Sequence, residues 1–356
     1  MDFLIAKDDL HNTRVAGAEP PALEEGQALL GVDAFGLSAN NITYAKFGEA
    51  MSYWNFFPAE EGWGRVPVWG FAEVLESRHA GVEPGTRVYG YLPPSSTLTV
   101  APARVEAHGF IDASPHRAEL PAAYNAYARV EADPVYDAAH EDQQMLLRPL
   151  FFTSFLIDDF LADSGLLSAH AIVLSSASSK TSSALAFLLH GREHGGVLGL
   201  TSARSAEFTR SLGVYDEVLA YEQIEDLAQA PAVYVDMSGN AEVREAVHAR
   251  YGSELKHSAV VGATHHDKMG TLPPALPGPR PAFFFAPDRV AKRGKDWGRE
   301  GLEERIAEAW HPYVEWTEGW LEVLHGSGGV EVQRAYLELL DGRVDPAQAH
   351  ILSLPA

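Results

Sequence analysis

Two short stretches carry side chains suited to holding phosphate. Ser175-Ser176-Ala177-Ser178-Ser179-Lys180-Thr181 follows the apolar run Ala171-Ile172-Val173-Leu174 and leads into a helical pattern over 183–189. Hydroxyls at a helix start cap it, and the exposed amides there attract an anion. Lys180 adds a direct charge. Ser176, Ser178, Ser179, Lys180 and Thr181 are therefore candidate phosphate ligands; the plain alternative is a capped helix. Triphosphate hydrolysis is not expected, because the glycines that a P-loop needs upstream of and beside its lysine are missing. The second stretch, Thr201-Ser202-Ala203-Arg204-Ser205, ends the next apolar run. An acid at that point would bond ribose hydroxyls, whereas a hydroxyl pair with an arginine suits a phosphate.

Further along, Gly262 ends the run Ala259-Val260-Val261, and His265-His266-Asp267 follows. Adjacent groups of this kind do not make a closed metal site, so no metal is expected. His265 is instead a candidate proton donor that titrates near neutrality. Tyr53, Trp54, Phe56 and Phe57 cluster in the first third of the chain. They read as core packing or as an aromatic substrate pocket.

The elements that must position these residues change in character along the chain. Up to about residue 105 the pattern is of strands, with turn signals such as Pro84-Gly85. Residues 107–142, rich in proline and acids, read as a long surface excursion. From about Met145, short apolar runs alternate with helical patterns: Ala171–Leu174, Gly196–Thr201, Glu217–Ala220, Ala232–Asp236 and Ala259–Gly262. That alternation predicts an α/β fold with a doubly wound parallel sheet covered on both faces. Ligands bind such sheets at the carboxyl ends of the strands, where both phosphate stretches lie. Residues 302–324 keep helical spacing around Pro312, predicting a kink or two helices.

The chain has 356 residues, 46% of them apolar, enough for two domains. Its formal charge of −22 argues against nucleic acid or anionic lipid as partners. It has no cysteine, which excludes disulfides and thiolate zinc sites and fits a cytoplasmic protein. The N-terminus predicts no signal peptide, and no apolar run is long enough to span a membrane.

Four stretches resemble the medium-chain dehydrogenase/reductase superfamily, in particular its zinc-independent quinone-oxidoreductase-like branch. They are the Asn-containing loop Gly36-Leu37-Ser38-Ala39-Asn40-Asn41-Ile42-Thr43-Tyr44, the turn Val82–Gly90, the segment Leu200–Tyr221 and the closing Ala335–Gly342. The chain is also similar to an offshoot of that superfamily known as a domain of unknown function. The resemblance implies a GroES-like catalytic domain from 1–148 and 326–356, with an insertion over about 107–142. A Rossmann-type nucleotide-binding domain would fill 149–325. It implies that Tyr44 and Asn41 lie on the loop facing a nicotinamide, where either hydrogen-bonds a substrate carbonyl. Relatives are commonly homodimers, with Ala282–Ala286 as a pairing edge strand or, equally, an internal one.

The glycine-free loop departs from the dinucleotide pattern. With Thr201, Ser202 and Arg204 suited to a 2′-phosphate, the predicted cofactor is NADPH, bound also by the serine loop and Gly262. The predicted function is reduction of an enone, quinone or related carbonyl by hydride transfer. The alternatives are a protein of this fold that binds a nucleotide without redox turnover, and one that binds only an apolar ligand in the aromatic cleft.

Overall fold

The computed structural model describes every residue except 18, 194, 262–275 and 356. It divides into two compact units, Met1–Leu146 with Leu321–Ala356, and Leu147–Trp320.

The first unit opens with β1 (Asp2–Ala6), β2 (Thr13–Ala16) and β3 (Ala28–Leu37), then α1 (Ala39–Lys46). Next come β4 (Trp63–Gly64), β5 (Val68–Ser77), β6 (Arg87–Leu92), β7 (Thr97–Val100), β8 (Pro102–Glu106), β9 (Gly109–Asp112) and β10 (Ala126–Arg129). Helix α2 (Glu141–Asp163) follows; it begins in the first unit and continues, from Leu147 and through Pro149, in the second. In β3, Ala28, Leu30 and Val32 point inward in alternation; a register shift near Ala34 then resets the phase so that Phe35 and Leu37 are also buried.

The segment 107–142 is not a surface excursion. It contributes β9 and β10, and β10 pairs with both β6 and β9. Asp112, Arg117, Asn125 and Tyr127 within it are buried. Its charges misled the sequence reading because two of them neutralise each other inside the core.

The second unit holds β11 (Ala171–Ser175), α3 (Lys180–His190), β12 (Val197–Thr201), α4 (Ala206–Ser211) and β13 (Glu217–Ala220). It continues with β14 (Ala232–Asp236), α5 (Ala241–Tyr251), β15 (Leu255–Val260), β16 (Ala282–Phe283), α6 (Ala286–Asp296) and α7 (Gly298–Thr317). The strands form one sheet in the order β13-β12-β11-β14-β15-β16, and every pairing is parallel. Ile172 and Leu174 pack into one core layer, Ala171 and Val173 into the other. This two-faced burial explains why these strands read as unbroken apolar runs. The order reverses between β11 and β14, the point at which such sheets open a crevice.

Helix α7 runs through Pro312 as one helix and ends at Thr317. Leu324, read as continuing that helix, belongs to β17 (Glu322–Ser327), which returns to the first unit with α8 (Gly329–Leu340) and β18 (Gln348–Ser353). The larger sheet of that unit has the order β17-β18-β3-β5-β6-β10-β9-β8, with β7 also on β3; a smaller one has β2-β1-β4. Among the described residues no helix is long and apolar enough to cross a membrane.

Candidate functional sites: a hydroxyl-bound loop and an aromatic cluster

At the end of β11 the chain turns sharply through Ser176, whose φ is +52°. This left-handed conformation normally falls to glycine and costs other residues roughly 1–2 kcal/mol. Its amide donates to the Tyr221 hydroxyl at 3.0 Å. One such neutral bond contributes about 1 kcal/mol, comparable with the cost of the turn. The next two loop residues are also held by hydroxyls. Tyr215 Oη donates to the Ala177 carbonyl at 2.8 Å, and Thr201 Oγ1 to Ser178 Oγ at 3.2 Å. Ser179 caps α3, accepting from the Ser182 amide at 3.2 Å. The loop lies close on β12 because residue 199 is glycine: a Cβ there would come within 2.9 Å of the Ala177 methyl.

Across the reversal point, Asp236 at the end of β14 is fully buried. Its Oδ1 accepts from Ser175 Oγ at 3.0 Å, from Ser238 Oγ at 2.8 Å and from the Ser238 and Gly239 amides. Its Oδ2 accepts from Arg244 at 2.9 Å. Ser175 Oγ accepts in turn from the Met237 and Ser238 amides. The two loops bordering the reversal point are thus cross-linked by one buried carboxylate, a group the sequence reading did not single out.

Of the predicted cofactor ligands, Ser176, Ser178, Ser179, Lys180 and Thr181 form this loop and the first residues of α3. Thr201 is buried at the end of β12, Ser202 Oγ lies 3.2 Å from Ser205 Oγ, and Arg204 is exposed. The Thr201–Ser178 bond joins the two sets. Positions 201–206 contain hydroxyls, alanines and an arginine but no carboxylate. Gly262 and His265 lie outside the described residues.

In the first unit, Ser38 precedes α1 and its amide donates to Asn41 Oδ1 at 2.8 Å. Asn41 Nδ2 donates to the Pro67 carbonyl at 2.9 Å. Both ends of the Asn41 amide therefore fix the start of α1. Its neighbour Asn40 donates from Nδ2 to Tyr44 Oη at 2.8 Å. A phenol that accepts one bond keeps its own proton for another. Burial raises the Tyr44 pKa above the usual phenol value, so the proton stays in place at neutral pH.

The Tyr44 ring lies 4.6 Å from Tyr53 and 5.8 Å from Tyr91. Tyr91 in turn meets Trp69 at 5.0 Å, Phe56 at 5.2 Å and Tyr124 at 4.8 Å. Burial raises the pKa values of Tyr53, Tyr91 and Tyr124 as well. Trp69 Nε1 and Tyr91 Oη are buried without a partner in hydrogen-bonding geometry among the described residues.

Tyr53, Phe56 and Phe57 thus share one aromatic cluster with the predicted Tyr44, while Trp54 has other neighbours. Trp54 is gripped between Gly48 and Gly64, where a Cβ would overlap its indole. The Phe57 ring, 6.0 Å from Tyr91, has the Arg117 guanidinium 4.7 Å from its centre. Arg117 is completely buried, with Nε 3.2 Å from Asp112 Oδ2. Asp112 Oδ1 accepts from the amides of Ala101 and Ser114 and from Ser114 Oγ. Arg117 also donates to Tyr127 Oη at 3.2 Å, and that hydroxyl donates to the Tyr91 carbonyl at 2.7 Å.

Sequence reasoning did not single out Asn40, Tyr91 and Tyr124. A signal for Tyr91 existed: Trp69 and Phe71 in β5, Tyr89 and Tyr91 in β6, alternate with period two and face one another in register.

Among proteins with curated descriptions, none matches the chain. Solved structures match it over nearly its whole length. CurA from Vibrio vulnificus in complex with NADPH is 13% identical with a TM-score of 0.60, over 97% of this chain and 95% of that one. YhdH of E. coli K-12 with bound NADPH is 16% identical with a TM-score of 0.59, over 99% and 100%. A mutant form of enoyl thioester reductase from Candida tropicalis is 11% identical with a TM-score of 0.58, over 99% and 98%. At such identities the likeness is one of fold. The expected architecture is present: a Rossmann-type parallel sheet with a β-rich unit, as in the medium-chain dehydrogenase/reductases. The family model described as "Protein of unknown function (DUF2855)" matches residues 35–345, and the chain belongs to that family.

Proposed function

We propose that this protein is an NADPH-dependent, zinc-independent reductase of enones, quinones or related activated carbonyls, working in the cytoplasm. The observation that carries the reading is the carboxylate-free end of β12, bonded to the serine loop through Thr201 and Ser178. That donor set fits a phosphorylated dinucleotide, and it lies at the strand ends where such sheets take one. The similar folds of CurA and YhdH were solved with NADPH, which supports the same choice. Ser176, Ser178, Ser179, Lys180 and Thr181 would hold the diphosphate, and Thr201, Ser202 and Arg204 the 2′-phosphate. When bound, the nicotinamide supplies a hydride. In the first unit, Tyr44 donates its proton in a hydrogen bond to the substrate carbonyl as charge grows on oxygen. Asn40 orients that phenol, Asn41 fixes the helix beneath it, and Tyr53 and Phe56 offer flat apolar walls.

Titration with NADPH and NADH, followed by quenching of tryptophan fluorescence, tests the reading. Saturable binding that prefers NADPH is expected. Arg204→Ala should weaken NADPH by about 1.5–3 kcal/mol, the worth of a charge-assisted bond, and spare NADH. Equal loss for both cofactors contradicts the 2′-phosphate assignment, and no binding of NADPH at millimolar concentration sinks the reading. A second reading is favoured by the Ser176 and Ala177 amides, which are already engaged within the protein. On it, the chain binds nucleotide without turnover, and NADPH would bind yet stay unoxidised across a wide panel of acceptors.

We also propose that two copies pair along β16. Among the described residues it is the last strand of its sheet, and Phe283 within it and Phe285 after it are 43% and 52% exposed. Light scattering should show a dimer that Phe283→Glu with Phe285→Glu converts to monomer; a mass unchanged by the pair refutes the assignment.

A further inference from the structure

The phosphate loop of this chain lacks the glycines that let such loops turn, yet it makes the turn. The backbone conformation at Ser176 is the one a glycine would supply. Within the loop the Ser179 amide donates to the Ser176 carbonyl at 2.8 Å; the Ser176 amide itself is held from outside. β13 is two strands away from β11, about 10 Å at the spacing of neighbouring strands. Tyr221 follows β13 directly and is long enough to cross the carboxyl end of β12 and meet the Ser176 amide at 3.0 Å. Tyr215, just before β13, reaches the Ala177 carbonyl, and Thr201, ending β12, reaches Ser178. Three consecutive loop residues are thus each held by one hydroxyl from the β12–β13 side.

We propose that Tyr221 is a positioning residue that takes the place of the missing glycine, fixing Ser176 in its left-handed turn so that the loop keeps a shape able to receive a dinucleotide diphosphate. Tyr215 and Thr201 hold the following two residues in the same way. A chain with glycine at 176 would not need the Tyr221 hydroxyl; this chain does. The inference rests on the reading that this loop binds NADPH.

The test uses the full chain in four forms: wild type, Tyr221→Phe, Ser176→Gly and the double variant. NADPH affinity is read by tryptophan quenching, and loop order by hydrogen–deuterium exchange of peptides covering 172–183. Tyr221→Phe should weaken NADPH about fivefold, the equivalent of one neutral hydrogen bond, and speed exchange in the loop. With Ser176→Gly in place the Tyr221 hydroxyl should become dispensable, so that the double variant matches Ser176→Gly alone in affinity and in exchange, because glycine makes the turn unaided. A merely structural defect at Tyr221 would not be repaired by a glycine 45 positions earlier. The proposal is overturned if Tyr221→Phe matches wild type in affinity and exchange, or if Tyr221→Phe weakens the Ser176→Gly chain as much as it weakens wild type. The underlying reading fails separately, if none of the four forms binds NADPH while exchange still shows loss and rescue.

Discussion

Asp112→Ala is expected to destabilise the protein by about 3–5 kcal/mol, the usual cost of stranding one member of a buried ion pair. Arg117 has no route to water: its side chain is fully buried, against the Phe57 ring and the Tyr127 hydroxyl. Without Asp112 its charge would lose the carboxylate 3.2 Å away, and the amides of Ala101 and Ser114 would lose their acceptor. The loss should appear as a fall in the urea midpoint at unchanged slope. Replacing both partners by apolar residues, Asp112→Leu with Arg117→Met, should cost much less than the single change, because no unpaired charge remains. A single variant within 1 kcal/mol of wild type would mean that water reaches the guanidinium after all.

The second large effect is on turnover. Tyr44→Phe should lower kcat for an enone or quinone about 100-fold with NADPH, in the range lost when one donor to a developing oxyanion is removed. The affinity for NADPH should not change, because the proposed cofactor ligands all belong to the other unit. Asn40→Leu should give a smaller loss, since it leaves the phenol but frees its orientation. Because burial holds the Tyr44 pKa above the ordinary phenol value, no loss of rate from its ionisation is expected between pH 6 and 9. A phenylalanine variant with wild-type kcat removes Tyr44 from the chemistry.

Much of the second unit was legible because its central strands are buried on both faces and so stand out as unbroken apolar runs. Their following loops accordingly fall along one edge of the sheet. The turn at Ser176 was not legible, since its usual mark is a glycine and its supports arrive from Tyr215 and Tyr221 across an intervening strand. In the first unit, the clustering of Tyr53, Trp54, Phe56 and Phe57 was legible, but nothing in the local sequence shows that Gly48 and Gly64 close on the Trp54 indole. Tyr124 was hidden in a segment whose acids and prolines resemble a loop. Leu324 fits helical spacing as well as a short edge strand, and only the pairing of β17 with β18 decides between them.

The place of β10 in its sheet fixes an order of events. β8 and β9 form a local hairpin, but they join the sheet only through β10, which lies between β9 and β6. The hairpin's pairing with the rest of the sheet is therefore expected to follow the docking of β10 and to be lost when β10 detaches. Tyr124 lies in the turn of Ala122–Asn125 that runs straight into β10. One wall of the aromatic cluster is accordingly expected to form late and open early, so partial opening of this sheet edge would abolish the pocket while the rest of the sheet still stands.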